Sequence, residues 1–524
     1  MAKFSNTPTK TKAPKSPIKT KGSPTVTHEG GVGYKRSAKA ELFLLAATNM
    51  VGEDTFYEKA EERDERFRNL IHKVAGKDPE WLARFVPYLR NDMFMRSASV
   101  VLAAEYVRAG APNGRSVVRA ACSRADEPAE LLAYWLSTYG RPLPVALKRG
   151  LADAALRLYT ETSALKYDGI SRGTRPADVI ELTHPKPTGD WQSDLFAYLL
   201  DRRHHGDIRV DMANLPTIGK NREILAYAEA PVDVRREYLL SLSPEYLSEA
   251  GMTWEMISGF VGEMTAEVWE KIIPSMGYMA LLRNLRNFDE AGISDTVANR
   301  IATKLVDPNE VAKSKQFPYR FLSAFVHAPG ARWLPSLERA LDLATQNIPK
   351  FSGKTLILTD TSASMTTSYS RRSTVTPAQA AALFAVAMAK RGSDTELVQY
   401  ADEYQYVEIS KSASVLRETE RLVAQTGAVG HGTQTFQTLA KTYGDHDRVV
   451  IFTDMQAFAY RGYDSIVSKI LGNGTKIYSY NLGGYETTHT ETGRDGLYEF
   501  GGLSDKSFTM MKLVDEHRDG VWPF

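Results

Sequence analysis

Cysteine is nearly absent from this chain of 524 residues, in which Cys122 is the only one. One cysteine excludes a disulfide framework within the chain and any cysteine-based zinc cluster, so we expect a reducing, cytoplasmic location. Long apolar runs are also missing. No run approaches the roughly 18 residues that span a bilayer, and the N-terminus lacks the apolar segment of a secretory signal.

Charge of one sign is not in excess, because 65 lysines and arginines face 63 aspartates and glutamates for a net charge of +2. The whole protein is therefore no polycation, and any nucleic-acid role must depend on charge that is unevenly placed. The length allows about three domains. Composition and charge divide the chain at two points, into residues 1–33, 34–350 and 351–524.

Residues 1–33 are poor in apolar and acidic side chains. They hold six lysines against a single acid, Glu29, and the remainder is rich in Thr, Pro, Ser and Gly. Such a segment buries too little apolar surface to offset its ordering entropy, so we expect a disordered basic tail. The tail is either a solubilising terminus or a loose phosphate-binding arm.

Residues 34–350 are predicted to be helical, with few of the alternating patterns that indicate strands. Apolar residues recur at helical spacing, as from Trp81 to Leu89. Gly and Pro divide the segment into predicted helices of about 12–20 residues. So many consecutive helices favour stacked helical pairs over a single bundle.

Residues 351–524 alternate between strand and helix patterns. The runs 354–359, 395–400, 405–409, 448–454 and 476–482 are predicted strands, whereas 377–390 and 415–423 are predicted helices. This alternation predicts a doubly wound parallel sheet. Ligands of such sheets bind beyond the carboxyl ends of the strands.

Three segments place oxygen ligands after strands or in a glycine-rich loop. The candidate ligands of a divalent cation are Asp360, Ser362, Ser364, Thr433 and Asp454. Carboxylates and hydroxyls are hard ligands that suit Mg²⁺, with Mn²⁺ as the alternative. These residues resemble the metal-ion-dependent adhesion site (MIDAS) of a von Willebrand factor A domain, which implies an open coordination position for a partner's carboxylate. We predict no enzyme activity, because no second set of carboxylates forms a two-metal centre, and we interpret His431 as structural.

Several phrases of the helical part resemble the TROVE domain of the Ro autoantigen family. They include Leu165-Lys-Tyr167, His184-Pro-Lys-Pro187, Ala280-Leu-Leu-Arg-Asn-Leu285 and Lys315-Gln-Phe-Pro-Tyr319. The resemblance implies a monomeric ring of HEAT-like helical repeats closed by the A domain. It implies binding of noncoding Y RNA on a basic outer surface and of single-stranded 3′ ends of misfolded RNA in the central hole, for RNA quality control, processing or decay. A 3′ exoribonuclease, polynucleotide phosphorylase, is an implied partner.

The family resemblance also implies RNA contacts. It places Lys166 and His184 at RNA-contacting positions, and charge and proximity add Arg172, Arg175 and Lys186. Charge alone leaves open that these residues belong to ordinary solvated helix faces. The alternative function is a protein-interaction scaffold that uses the metal site of the A domain to bind an acidic partner.

Overall fold

The structure is a computed structural model that describes residues 23–524 with short gaps. The residues outside the description are 1–22, 49–50, 53–54, 56–57, 207, 328–329, 347, 370–374, 492–493, 509–510 and 512–521. Among the described residues, no helix is both long and apolar enough to cross a membrane.

The described chain begins with a β-hairpin, strands β1 (Ser23–Val26) and β2 (Val32–Lys35), which pair antiparallel. The prediction of a disordered tail is therefore wrong for residues 23–33, and its remainder lies outside the described residues. The hairpin is stabilised by distant parts of the chain: Arg36, just after β2, forms a buried ion pair with Glu499. The composition of residues 1–33 alone does not reveal a stabilising partner such as Glu499, which lies near the other end of the chain.

Helices follow up to residue 344. They are α1 (Ala38–Thr48), α2 (Ala60–Ala75), α3 (Pro79–Asn91), α4 (Arg96–Arg108), α5 (Gly114–Ala121), α6 (Glu127–Tyr139), α7 (Val145–Leu158), α8 (Glu161–Tyr167), α9 (Pro176–Thr183), α10 (Asp190–His204), α11 (Pro216–Leu225), α12 (Val232–Ser241), α13 (Pro244–Glu249), α14 (Trp254–Val261), α15 (Ala266–Ile272), α16 (Tyr278–Ala291), α17 (Asp295–Leu305), α18 (Pro308–Ser314), α19 (Tyr319–His327) and α20 (Leu334–Ala344). Many of them are shorter than expected, because Pro recurs at first helical positions, as at Pro216 and Pro244.

The C-terminal part is an α/β domain. Its elements are β3 (Phe351–Asp360), α21 (Pro377–Arg391), β4 (Gly392–Tyr400), β5 (Tyr404–Val407), α22 (Val415–Ala424), α23 (Thr435–Thr442), β6 (Arg448–Thr453), α24 (Tyr463–Gly472), β7 (Lys476–Asn481), β8 (Thr487–Thr488) and β9 (Leu497–Gly501). Helix α21 is buried along most of its length, which explains why its sequence is apolar on every side.

The main sheet has the order β5-β4-β3-β6-β7-β9. Five of these strands are parallel, but β5 runs antiparallel to β4, so the prediction of an all-parallel sheet is wrong at this edge. Only residues 401–403 join β4 to β5, and a parallel pairing needs a crossover of a dozen or more residues. Strand β8 lies apart from this sheet and extends the N-terminal hairpin by pairing with β2.

The helical array closes on itself. Lys315, after α18, donates a hydrogen bond to Asn91 at the end of α3 (3.2 Å), and the rings of Phe94 and Phe317 lie 6.2 Å apart. Helix α1 packs on β9, while α19 and α20 pack on α22. The helices therefore form a ring whose two ends meet each other and the α/β domain.

Candidate functional sites

The first candidate site lies where the sheet reverses its strand order, between β3 and β6. The register pairs Thr359 with Phe452, so Asp360 and Thr453 emerge side by side at the carboxyl ends of the two strands. The Thr453 hydroxyl donates to Asp360 Oδ2 at 2.6 Å. The following residue, Asp454, is also buried. The two carboxylates predicted as cation ligands therefore lie at one end of the sheet.

The loop after β3 turns back over these carboxylates. The backbone N–H of Ser362 donates to Asp360 Oδ1 at 2.9 Å, and the hydroxyls of Ser362 and Ser364 lie 3.3 Å apart. Ser364 is near enough to Asp454 to lower the pKa of that carboxyl. The two serines therefore lie beside both carboxylates, which come from different strands.

The glycine-rich loop that carries Thr433 is fixed beside this turn. The N–H of Ala363 donates to the His431 carbonyl at 2.9 Å, and the N–H of His431 donates to Asp402 Oδ2 at 2.8 Å. Gly430 adopts a left-handed φ of +98°, and a Cβ there would lie 2.2 Å from the Asp402 carboxylate. Both facts require glycine at this position. Thr433 itself is buried.

The electrostatics of the site favour a bound cation. Burial raises the pKa of Asp360 and of Asp454, and the charge of Asp360 raises the pKa of Asp454 further. Asp454 Oδ2 has no hydrogen-bond partner among the described residues. A buried carboxylate oxygen without a partner is costly. The two carboxylates and three hydroxyls fit the ligand preferences of Mg²⁺ or Mn²⁺, and a cation would offset the repulsion between the carboxylates.

The site is enclosed by the rest of the chain. Its five candidate ligands are each at most 3% exposed. On one side Arg63 of α2 donates to the Gly483 carbonyl, and a cavity of about 20 Å³ lined by Thr48, Arg63, Ser364 and Tyr485 separates the site from α1 and α2. On the other side lies the N-terminal hairpin. Among the described residues, the five candidate ligands are therefore covered by neighbouring segments of the same chain.

The second candidate site is a basic cluster around Tyr167, at the end of α8. The side chains of Arg124 and Lys166 each lie 5.5 Å from the centre of the Tyr167 ring. Arg172 lies 3.8 Å from the buried Asp126, which Arg124 also binds. We call Arg124, Lys166, Tyr167 and Arg172 the Tyr167 cluster. The sequence analysis did not include Arg124 among the RNA-contacting residues.

His184 and Lys186 lie beyond the end of α9 and are both exposed. His184 takes a left-handed backbone conformation (φ 51°) as the residue that ends α9. Among the described residues, no hydrogen bond or ion pair joins His184 or Lys186 to the Tyr167 cluster. The structure thus links Lys166 and Arg172 through Tyr167, Arg124 and Asp126, whereas His184 and Lys186 are exposed without such a link among the described residues.

The assignment of Arg175 to the RNA-contacting residues is wrong, because Arg175 is buried. Its guanidinium Nε donates to Asp168 Oδ1 at 2.7 Å and its Nη2 to Oδ2 at 2.5 Å. Arg202 contacts the same carboxylate at 3.0 Å. Asp168 is therefore the partner of a structural ion pair.

A third candidate site was not anticipated from the sequence. A cavity of about 430 Å³ lies between α16 and α19, and three arginines line it: Arg283, Arg286 and Arg320. Arg286 pairs with Glu290, whereas Arg283 has no ion-pair partner among the described residues. Arg283 and Arg286 are three residues apart on one helix face, and this spacing was the available signal. We call this cavity the α16–α19 basic pocket.

The comparisons with known proteins concern both parts of the chain. The TROVE domain model matches residues 248–353. "RNA-binding protein RO60" of Deinococcus radiodurans is 23% identical over 464 residues, 82% of this chain and 83% of that protein. Telomerase protein component 1 of Mus musculus is 39% identical over 74 residues, 14% of this chain and 3% of that protein.

One solved structure shares the overall architecture. The crystal structure of the Ro (Rsr) protein of Deinococcus radiodurans matches with a TM-score of 0.60 and 18% identity, over 91% of this chain and 100% of that chain. At this identity the likeness concerns the fold alone, a helical ring combined with an α/β domain.

Proposed function

Because the chain is a protein of the bacterial Ro family, we propose that it binds noncoding RNA and acts in RNA quality control, processing or decay. The relative from Deinococcus radiodurans is named as an RNA-binding protein. The observation that carries the proposal here is the Tyr167 cluster, an aromatic ring with cationic side chains on it at the surface of the ring of helices. Cations bind phosphates and aromatic rings stack on bases, so the combination suits RNA.

A structured, Y-like RNA binds the outer surface at the Tyr167 cluster in this proposal. Lys166 and Arg172 contact phosphates, and His184 with Lys186 extends the contact along the backbone of the RNA. Asp126 neutralises part of the charge of Arg124 and Arg172. Lys166 has no such acidic partner among the described residues, which makes it the principal phosphate contact.

Single-stranded 3′ ends of misfolded RNA bind elsewhere, in the α16–α19 basic pocket. Its three guanidiniums suit the closely spaced phosphates of one strand. The pocket is lined by apolar side chains as well, among them Met279 and Leu282. Unstacked bases can pack on these side chains, whereas the bases of a duplex are not available for such contacts.

The α/β domain is a von Willebrand factor A domain with a MIDAS in this proposal, and the helical ring consists of HEAT-like repeats. Asp360, Ser362, Ser364, Thr433 and Asp454 hold Mg²⁺, or Mn²⁺ in its place. The cation neutralises two buried carboxylates and supports the loops that carry its ligands. The protein is a cytoplasmic monomer without catalytic activity of its own, and it presents RNA to a 3′ exoribonuclease such as polynucleotide phosphorylase.

The test separates the two RNA sites. Fluorescence anisotropy measures binding of a blunt structured RNA and of an unstructured RNA with a free 3′ end. The double variant K166A/H184A is expected to bind the structured RNA about tenfold more weakly, and the salt slope falls by about 0.8 because the cationic phosphate contact of Lys166 is lost, while the neutral His184 contributes no counterion release. The double variant R283A/R320A is expected to lose affinity for the single strand only.

Lys313, an exposed lysine of α18 that pairs with Glu310, provides the control. K313A removes the same kind of charge at a residue that belongs to neither site, and is expected to leave both affinities unchanged. Equal losses in K166A/H184A and K313A would show that only the net charge matters. An unchanged salt slope in K166A/H184A would refute the assignment of the outer site.

The scaffold alternative, in which the metal site binds an acidic partner, is less well supported. It requires an outside carboxylate to reach the cation, and the five ligands are enclosed by the hairpin and by α1 and α2. Partner binding would therefore require one of these covering segments to move. A pull-down that needs Mg²⁺ and is lost in D360A would favour this alternative.

A further inference from the structure

The turn between α9 and α10 presents an exposed tryptophan. Trp191 lies in the first turn of α10 and is 43% exposed. Of the seven tryptophans in the chain, all of which lie among the described residues, the other six are buried or half-buried. Exposure alone assigns no role to Trp191, because single apolar residues are common on protein surfaces. The surroundings of the indole decide what it can do.

The turn that carries the indole is held in a fixed position. The buried Gln192 accepts hydrogen bonds at its Oε1 from the N–H and the hydroxyl of Thr188, at 3.0 and 3.1 Å. Its Nε2 donates to the Leu156 carbonyl of α7 at 2.9 Å. A Cβ on Gly189 would lie 3.5 Å from Cδ1 and Nε1 of the indole, so the ring packs beside the glycine backbone. A ligand that binds this ring therefore has little ordering entropy to offset.

The same end of the helix pair carries the exposed cationic residues His184 and Lys186. Helices α9 and α10 pack against each other and are joined by residues 184–189 alone, so the end of α9 and the start of α10 lie together. The Tyr167 cluster lies before the other end of α9, which is about 12 Å long at 1.5 Å per residue. One RNA molecule can therefore contact both ends of α9.

The charges around Trp191 favour a base over a phosphate as its ligand. The exposed Asp190 precedes it, and Asp194 follows within one helical turn. Carboxylates repel phosphates, so the first turn of α10 does not suit the RNA backbone. Stacking on an aromatic ring requires no charge, and it is open to an unpaired base, whereas the bases of a continuous duplex are already stacked on each other.

We propose that Trp191 stacks on an unpaired base of the RNA whose phosphates contact His184 and Lys186. This inference rests on the RNA-binding function proposed above and adds a specificity-determining residue to its outer site. Cationic side chains hold the backbone there, and the indole selects an RNA in which a nucleotide next to the contacted phosphates is unpaired. Because every base has an aromatic face, Trp191 does not distinguish one base from another.

Fluorescence anisotropy with the full-length protein tests the proposal on two hairpin RNAs, which differ only in whether one internal loop is left unpaired or replaced by base pairs. W191A is expected to bind the looped hairpin about tenfold more weakly than the unchanged protein, and the paired hairpin equally well. Its salt slope should stay unchanged because no charge is removed, whereas K186A should lower the slope. W191F keeps an aromatic face and should retain most of the affinity.

Tyr406 provides the control, because it is a 55% exposed aromatic residue on β5 of the α/β domain. Y406A is expected to bind both hairpins as the unchanged protein does. Quenching of tryptophan fluorescence by acrylamide gives a second readout, since the quencher reaches an exposed indole most easily. The looped hairpin should protect the unchanged protein from quenching, and this protection should be absent in W191F. The melting temperature of W191A should equal that of the unchanged protein, which a packing role for the indole would not allow.

Three results would overturn the proposal. If W191A binds the looped hairpin as tightly as the unchanged protein while K166A/H184A binds it weakly, the outer RNA site stands and Trp191 is not part of it. If W191A loses the same affinity for both hairpins, the indole does not stack on an unpaired base. If K166A/H184A also binds both hairpins as the unchanged protein does, the outer RNA site itself fails, and the role of Trp191 fails with it.

Discussion

Replacing Arg175 with methionine should separate a structural arginine from a phosphate contact. The side chain of Arg175 is 4% exposed and makes two parallel hydrogen bonds to Asp168, whose side chain is 1% exposed. Removing one partner of a buried ion pair costs about 3–5 kcal/mol, because the other charge remains buried. Arg202, 3.0 Å from the same carboxylate, still offsets part of that charge. We therefore expect R175M to lower the free energy of unfolding by about 3 kcal/mol, at the lower end of this range.

The assay combines thermal unfolding with RNA binding. R175M is expected to lower the melting temperature by several degrees, because a loss of this size is large relative to the stability of a folded domain. The double variant D168N/R175M removes both charges and is expected to recover part of the loss. Below the transition, both variants should bind structured RNA with the affinity of the unchanged protein. An R175M protein with unaltered melting temperature and weakened RNA binding would refute this reasoning.

Three further predictions concern the metal site and the C-terminus. Without metal, the raised pKa of Asp454 means that the folded state keeps a proton which the unfolded chain loses, so stability falls as pH rises from about 4 towards neutrality. The gain in melting temperature on adding Mg²⁺ should grow over the same range, and a constant gain would contradict the cation site. G430V forces a side chain against Asp402 and should weaken Mn²⁺ binding about tenfold, whereas unchanged titrations would show that the loop tolerates a side chain. W522A removes a buried indole that packs edge-on against Trp81, with 4.6 Å between the ring centres. This variant should lower the free energy of unfolding by about 3–5 kcal/mol. A loss below about 1 kcal/mol would show that the C-terminus contributes little to stability.

The core of the α/β domain could be predicted because its signals are local. Aliphatic strands that end in an acid, as at Asp360 and Asp454, indicate both the strand and the edge at which the acids meet. The antiparallel orientation of β5 could also have been inferred, since residues 401–403 are too few for a crossover. The prediction of a parallel β5 came from the strand pattern alone and ignored the length of the connection to β4.

The features that the sequence did not predict depend on contacts between distant residues. Charge pattern does not distinguish an exposed arginine from a buried one, so Arg175 was assigned to RNA although Asp168 binds it. The hairpin at 23–35 depends on partners more than 400 residues away, such as Ala457 and Glu499. Composition alone therefore predicted disorder for a segment whose structure depends on the other end of the chain.

The central claim is that RNA contacts the outer surface at the Tyr167 cluster, and ultraviolet crosslinking with mass spectrometry tests it most directly. The protein is crosslinked to a structured small RNA and the modified peptides are mapped. We expect crosslinks within residues 161–187, with Tyr167 as a principal site, and their loss in K166A/H184A but not in K313A. Crosslinks confined to other segments, and equally abundant in K166A/H184A, would contradict it.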